Sequence, residues 1–156
     1  MKPRSSMALA FLGGSLLLAD DRPVFNEIQA TYDRTIRGQL TAKTPEDLDA
    51  NERLIDTPDW VSIVNDGAPQ HWADLRAGVI AMLGHPEDIT IKILKLTIAG
   101  DRAVVIARVG APKDVSGDGD RSRPALIRDT WSKTSVGWRR NVHEKPARGK
   151  LDGELK

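Results

Sequence analysis

The chain contains 156 residues, with 23 lysines and arginines against 22 aspartates and glutamates, 40% hydrophobic residues and no cysteine. This length suits one domain, and the composition is typical of a soluble globular protein. It excludes a scaffold held by disulfides, a disordered chain and a strong membrane-spanning helix. The sequence shows no internal repeat and no second domain.

Lys2 and Arg4 precede the apolar run 7–19, and two aspartates follow that run. A basic start, a short apolar stretch and a polar continuation are typical of a secretory signal. The sequence therefore predicts a signal peptide over residues 1–19 and a periplasmic or secreted protein. A frayed N-terminal helix and an uncleaved anchor are the alternatives.

Cleavage after residue 19 removes two basic side chains and no acidic one, which changes the formal net charge from +1 to −1. Acidic and basic residues are interleaved along the remaining chain, so the pattern offers no basic stripe for a nucleic acid. We therefore expect no nucleic-acid partner and no stable membrane span in the mature protein.

The first half of the chain predicts three helices. Apolar side chains recur every four residues over 24–40, which indicates a helix with one apolar stripe. Thr44 as N-cap, with Pro45 in the first turn and two acids after it, begins a second helix that ends at residue 54 or 55. A third helix is predicted between residues 69 and 84.

Strands follow from period-two alternation of apolar residues. A short strand over 60–64, closed by a turn at 65–67, separates the second and third helices. The apolar phase slips by one between Ile93 and Leu94, which predicts a β-bulge or a bend. The second half of the chain is predicted to form strands over 89–98, 103–109, 125–133 and 138–143.

This order of elements predicts an α+β fold, with three N-terminal helices packed on one face of a curved, mainly antiparallel sheet. We expect the domain to span residues 22–145. A polar tail over 146–156 is expected to be loose.

The chain resembles a known superfamily in the helix that carries Tyr32, the strand at 60–66, the third helix and the closing hairpin. That hairpin combines Thr-Trp-Ser-Lys at 130–133 with Gly-Trp-Arg at 137–139. These features are similar to those of the nuclear transport factor 2-like superfamily. Within it the chain resembles the SnoaL-like group, which includes ketosteroid isomerases, polyketide cyclases and many exported bacterial proteins of unknown role. The resemblance implies a cone with an apolar pocket between helices and sheet, and frequent homodimers.

Asp129 is the first candidate for chemistry, because it alternates with Ile127 and Trp131 on an apolar strand face. In ketosteroid isomerases a protonated Asp stands eight residues before the turn glycine and donates to an oxyanion, and Asp129 keeps that spacing from Gly137. An apolar environment raises the pKa of a carboxyl and leaves a neutral donor. The alternative is an ion pair between Asp129 and Arg140 or Arg128.

Tyr32 and Asp66 complete the catalytic set that the resemblance implies. The isomerases place a Tyr of the same oxyanion hole where Tyr32 lies; a core Tyr bonded to a backbone carbonyl or water is the alternative. They carry the catalytic base on the strand after the second helix. An ungapped comparison with the isomerases from Asp59 onward places Val64 at the position of that base, and Asp66 reaches this position only if the turn is shifted. Asp66 also suits an ordinary turn.

The predicted pocket wall combines aromatic, aliphatic and basic side chains. Tryptophans suit either a ligand pocket or an ordinary core. Strict alternation places His143 on the strand face opposite Trp138, away from a pocket that Trp138 would face. The residues predicted to line the pocket are Trp60, Trp72, Ile127, Trp131, Trp138 and Arg140.

The sequence does not predict a metal site or a cofactor. The three histidines show no metal-ligand spacing. The acidic loop 114–120 partly imitates a calcium loop, but Ala125 stands where that loop requires Glu, and strands flank it. A solvated loop is the better interpretation.

These observations predict an exported cone-fold protein that binds a small, largely apolar molecule. If the protein is an enzyme, the expected chemistry is oxyanion stabilisation of an isomerase or cyclase type. The alternative is a non-catalytic dimeric interaction module whose pocket is filled by its own tryptophans. A sheet face with Val104, Ile106 and Leu126 would then form the dimer surface.

Overall fold

The structure is a computed structural model that describes residues 10–12, 15–17, 19–85, 88–110 and 125–156. Most of the predicted signal peptide and the whole acidic loop 114–120 lie outside the described residues. Two short strands, β1 (Ala10–Leu12) and β2 (Ser15–Leu17), pair antiparallel ahead of the main domain. Among the described residues, no helix has both the length and the apolar character needed to cross a membrane.

Three helices occur where the sequence predicts them: α1 (Arg22–Thr41), α2 (Pro45–Ile55) and α3 (Trp72–Ile80). The apolar stripe of α1 is buried through Ile28, Tyr32 and Ile36. At the start of α2, the Thr44 hydroxyl accepts from the Asp47 amide, and the Asp47 carboxylate accepts from the Thr44 amide. This reciprocal capping box fixes the first turn.

Helix α3 is shorter than predicted. Its predicted start at residue 69 is wrong because Gln70 is extended, with both backbone groups bonded to Ser62 at 2.8 Å. The helix therefore begins after His71, whose amide donates to the Asp74 carboxylate at 2.9 Å. None of its residues is fully buried.

The sheet has five strands in the spatial order β3-β7-β6-β5-β4. The last four in sequence form an antiparallel meander, and β3 adds to its β7 edge in parallel orientation. β5 lies between β4 and β6, which suits a strand that is apolar on both faces. The strands are β3 (Asp56–Val64), β4 (Thr90–Ala99), β5 (Arg102–Gly110), β6 (Ala125–Thr134) and β7 (Gly137–Lys145).

Two β-bulges interrupt the pairing. In β4, Ile93 pairs with Ala107 but Lys95 pairs with Ile106, so Leu94 is the extra residue at the predicted phase slip. In β7, Arg140 pairs with Trp131 but Val142 pairs with Thr130, so Asn141 is extra. The sequence pattern does not predict the second bulge. This bulge reverses the strict alternation along β7.

The main core lies between α1 and the sheet. Tyr32 and Trp131 meet edge to face, with ring centroids 5.3 Å apart, beside Ile28, Val105 and Trp138. Edge-on contact matches the charge distribution of aromatic rings and adds to the stabilisation from apolar burial.

The tail after β7 is packed, contrary to the expectation of a loose segment. Leu151 is 3% exposed, and the tail ends in a 3-10 helix, Asp152–Leu155. Glu154 accepts hydrogen bonds from Lys95 and Arg128, which both pair with Ile106 in the sheet. Ile106 is only 3% exposed. Part of the outer face expected at a dimer surface is therefore inaccessible within one chain.

Candidate functional site

A cavity of about 350 Å³ lies between the helices and the sheet. This volume falls in the range of small-molecule sites. Its wall is largely apolar, with a cluster of ionisable side chains contributed by α1, α2 and β7. The apolar lining comes from Ile36, Ile55, Trp60, Trp72, Leu75, Val79, Ile89, Ile91, Val109, Ala125 and Ile127, and the polar lining from Tyr32, Thr35, Gln39, Glu52, Ser62, Arg140, His143 and Lys145.

The Asp129 carboxylate lies behind the cavity wall and contacts three side chains of the polar end. Its side chain is fully buried and does not line the cavity. The Tyr32 hydroxyl donates to Oδ2 at 2.6 Å, and an Arg140 nitrogen lies 3.5 Å from the same oxygen. His143 Nδ1 lies 2.7 Å from Oδ1. Both carboxylate oxygens are therefore occupied by protein side chains.

The expectation that Asp129 is a neutral donor is wrong. Burial raises the pKa of its carboxyl, but the charges of His143 and Arg140 and the hydrogen bonds from His143 and Tyr32 outweigh burial and hold the pKa below its ordinary value. Asp129 is thus a carboxylate at neutral pH, as the ion-pair alternative with Arg140 proposed. Arg128 pairs instead with Glu144 and Glu154.

The Tyr32 hydroxyl is fully engaged in its hydrogen bond to this carboxylate. Burial and the negative charge of Asp129 raise the pKa of Tyr32 well above its ordinary value, so the hydroxyl keeps its proton. Because that proton is directed at Asp129, it is not available to an oxyanion in the cavity. The geometry does not form the oxyanion hole that the resemblance implies.

Arg140 connects Asp129 to a second buried carboxylate. Its Nε and Nη2 atoms donate to the two oxygens of Asp56 at 2.6 and 2.9 Å, which is a bidentate pair. The guanidinium also stands 5.4 Å from the ring centre of Trp60. Desolvation lowers the pKa of Arg140, but Asp56 and Asp129 outweigh it and raise the pKa above its ordinary value. All three nitrogens are thus engaged inside the protein.

His143 lines the cavity, and its predicted placement on the opposite face is wrong. The bulge at Asn141 puts Arg140 and His143 on the same face of β7, opposite Trp131 and Asp129 of β6. Two nitrogen or oxygen atoms at 2.7 Å need a hydrogen between them, and the Asp129 carboxylate has none. Nδ1 therefore carries the proton, which leaves Nε2 as the ring nitrogen available to a ligand.

The structure separates the other predicted site residues into two groups. Trp60, Trp72, Ile127 and Arg140 line the cavity. The other predicted lining residues are placed elsewhere: Trp131 and Trp138 are buried in the core, with 0% and 4% exposure, and they do not line the cavity.

Asp66 lies outside the cavity. It sits in an exposed turn with a φ of 57°, and its carboxylate pairs with Lys150. The backbone of this turn, in which Asn65 also has a positive φ, favours Asn and Asp at both positions. The turn interpretation accounts for Asp66, and its distance from the cavity does not suit a catalytic base.

Glu52 is a site residue that sequence reasoning missed. It follows Asn51 on α2 and lines the cavity, with its Oε1 atom buried and without a hydrogen-bond partner among the described residues. Burial raises its pKa, and the adjacent Asp56 raises it further, to about 9, against the opposing charge of Arg140. Glu52 is therefore protonated at neutral pH. No signal marks it in the sequence, because one Glu on an amphipathic helix is ordinary.

Comparison with known proteins identifies the fold. No family model matches the chain, and no curated protein matches its sequence. A nuclear transport factor 2-like protein of unknown function from Silicibacter pomeroyi superposes with a TM-score of 0.55 at 8% identity, covering 82% of this chain and 97% of that one. The Kfla4162 protein of Kribbella flavida gives 0.54 at 22% identity, covering 87% and 96%.

A third solved structure supports the same assignment. A domain of unknown function with a cystatin-like fold from Nostoc punctiforme superposes with a TM-score of 0.54 at 14% identity, covering 89% of this chain and 84% of that one. At these identities the similarity concerns the backbone arrangement and carries no activity. The chain therefore has the α+β cone fold of the nuclear transport factor 2-like proteins.

Proposed function

We propose that this protein binds a small, largely apolar molecule in the cavity between the helices and the sheet. The observation that supports this proposal is the cavity of about 350 Å³ itself, with apolar walls and a polar end. The alternative, a pocket filled by the protein's own tryptophans, fits less well because Trp131 and Trp138 pack in the core and leave the cavity open.

Titration with tetralin, a bicyclic hydrocarbon, tests binding. Trp60 and Trp72 line the cavity, so occupation is expected to change tryptophan fluorescence in a saturable way. Ala125→Phe places a ring in the cavity and is expected to abolish that change. Val104→Phe, on the exposed outer face, is the matched control and should bind as the parent does. Equal binding by both variants would place the hydrocarbon outside the cavity.

His143 supports a second, enzymatic function in which a bound molecule exchanges a proton. The Asp129 carboxylate holds Nδ1, as in acid–base pairs that orient an imidazole toward a reacting group. Isomerase- or cyclase-type turnover is then expected to fall at least about a hundredfold in His143→Gln. Glu144→Gln, which alters the neighbouring residue bonded to Arg128, is the control. Unchanged turnover in His143→Gln would contradict the enzymatic function.

Export and dimerisation remain proposals beside this function. The basic start and apolar run of residues 1–19 support export. Mass spectrometry of protein from an expressing bacterium is expected to show a chain that begins at residue 20.

The resemblance to the SnoaL-like group supports a homodimer, and light scattering in solution should give twice the mass of one mature chain.

A further inference from the structure

The cavity contains a carboxyl group that the His143 arrangement does not use. Glu52 lines the cavity together with Arg140 and Trp60, and its Oε1 atom is buried without a hydrogen-bond donor among the described residues. An ionised carboxylate in this position would leave a buried charged oxygen unpaired, which is strongly unfavourable. The site must therefore stabilise Glu52 in its neutral form or supply a partner.

Asp56 explains why Glu52 is neutral. The guanidinium of Arg140, whose charge acts on Glu52, already serves the carboxylates of Asp56 and Asp129. A third negative charge would have to share that guanidinium. Glu52 instead keeps its proton and shares it with Asp56, the neighbour that raises its pKa to about 9 after burial itself. The second oxygen of Glu52 is then a carbonyl, which can accept a hydrogen bond.

Three donors around the cavity are already engaged. The Tyr32 hydroxyl donates to Asp129, the Thr35 hydroxyl donates to the Thr31 carbonyl, and the Trp72 indole donates to Asp49. The Trp60 indole nitrogen has no partner among the described residues, but it is itself buried and inaccessible. The second oxygen of Glu52 is an acceptor in the cavity wall. This oxygen favours a ligand group that donates a hydrogen bond.

We propose that Glu52 is a recognition residue of the cavity and that it accepts a hydrogen bond from the hydroxyl group of an uncharged, otherwise apolar molecule, an alcohol or a phenol. This inference rests on the proposed ligand-binding function. The guanidinium of Arg140 and the ammonium of Lys145, both in the wall, oppose a cationic amine. A carboxylate or a ketone brings only acceptors, which the carbonyl oxygen of Glu52 cannot bind.

Four compounds on one carbon frame test the proposal: tetralin, 1-tetralol, 1-tetralone and 1-aminotetralin, titrated at pH 7 with tryptophan fluorescence as readout. The alcohol is expected to bind about three- to tenfold more tightly than the hydrocarbon, which corresponds to one neutral hydrogen bond. The ketone and the ammonium compound are expected to gain nothing over tetralin. A tighter ketone or amine would overturn the assignment of a hydroxyl donor.

Two substitutions at Glu52 separate recognition from a structural effect. In Glu52→Gln the amide N–H can donate to Asp56 and the carbonyl still faces the cavity, so the preference for the alcohol should remain. In Glu52→Met, of similar size, the preference should disappear while tetralin still binds. A preference that survives in Glu52→Met overturns the inference alone. Failure of the parent protein to bind any of the four compounds overturns both the inference and the proposed function.

Discussion

At Asp129, side chains from two elements converge on one buried carboxylate. Tyr32 comes from α1, whereas Arg140 and His143 come from β7. Desolvation of a charge is costly, and here three partners offset it. This carboxylate therefore holds α1, β6 and β7 together and also fixes the imidazole at the cavity wall.

Replacing Asp129 by Asn tests this role. The change leaves Arg140 and His143 with fewer buried acceptors, so we expect the free energy of unfolding to fall by about 3 kcal/mol. Urea unfolding followed by circular dichroism measures the loss. Asp66→Asn is the matched control, because that exposed turn accepts Asn and should unfold at the same urea concentration as the parent. Equal midpoints for the two variants would contradict the role of Asp129.

Glu52 gives stability an unusual pH dependence. Its pKa rises from 4.5 to about 9 on folding, so between these values the folded chain binds a proton that the unfolded chain lacks. This contribution makes stability fall as pH rises from about 5 to 9. Glu52→Gln lacks the effect and should gain stability over the parent progressively across that interval. Urea titrations at pH 5, 7 and 9 measure the difference, and a constant difference would refute the protonated state.

Among the elements, α3 is attached mainly through polar contacts. The Asp49 carboxylate of α2 accepts from the Trp72 indole and from two Arg76 nitrogens, each at 2.8 Å. The hydrogen bonds from Arg76 and Trp72 lower the pKa of Asp49 to about 2, so the contact persists in mild acid. Since α3 supplies Trp72, Leu75 and Val79 to the wall, this contact controls one side of the cavity.

Asp49→Ala is expected to loosen α3 without unfolding the domain. Amides of residues 72–80 should exchange with deuterium faster than in the parent, while those of β5 and β6 keep their protection. Hydrogen-exchange mass spectrometry resolves the two regions. Asp33→Asn, on the exposed side of α1, serves as the control and should leave α3 unchanged. Equal acceleration throughout the sheet would mean that α3 and the sheet open as one unit.

The two bulges show how far sequence periodicity predicts the elements. Leu94 interrupts a run of alternating aliphatic residues, so its phase slip is visible in the sequence. Asn141 lies among Arg139, Arg140 and Val142, where no apolar alternation exists to be broken. The first bulge was therefore predicted, and the second was not. That second bulge is what brings His143 to the cavity.

For the whole molecule, sequence patterns predicted the helices and the meander, and they singled out Tyr32 and Asp129. They left the charge of Asp129 open between a neutral donor and an ion pair, and they did not indicate Glu52. Both depend on contacts between residues far apart in the chain, such as Arg140 with Asp56, 84 positions away. Local patterns carry no information about such pairing.

The tail supplies a test of how far the domain extends. Leu151 is buried in the segment that covers the outer sheet face, so Leu151→Ala should lower the free energy of unfolding by about 2–3 kcal/mol. Thermal or urea unfolding measures the loss. Leu155→Ala, at a residue 37% exposed, should have a much smaller effect. Equal stability of Leu151→Ala and the parent would restore the view of a loose tail.

The parallel pairing of β3 with β7 has a consequence for biosynthesis. Residues 56–64 leave the ribosome long before their strand neighbour at 137–145, and a contact across so many positions forms late because the intervening loop must close first. Throughout that interval Asp56 has no guanidinium beside it, and Trp60 has no cation over its ring. The nascent chain thus exposes this edge of the sheet until residues 137–145 have also emerged, and chaperones would meet it there.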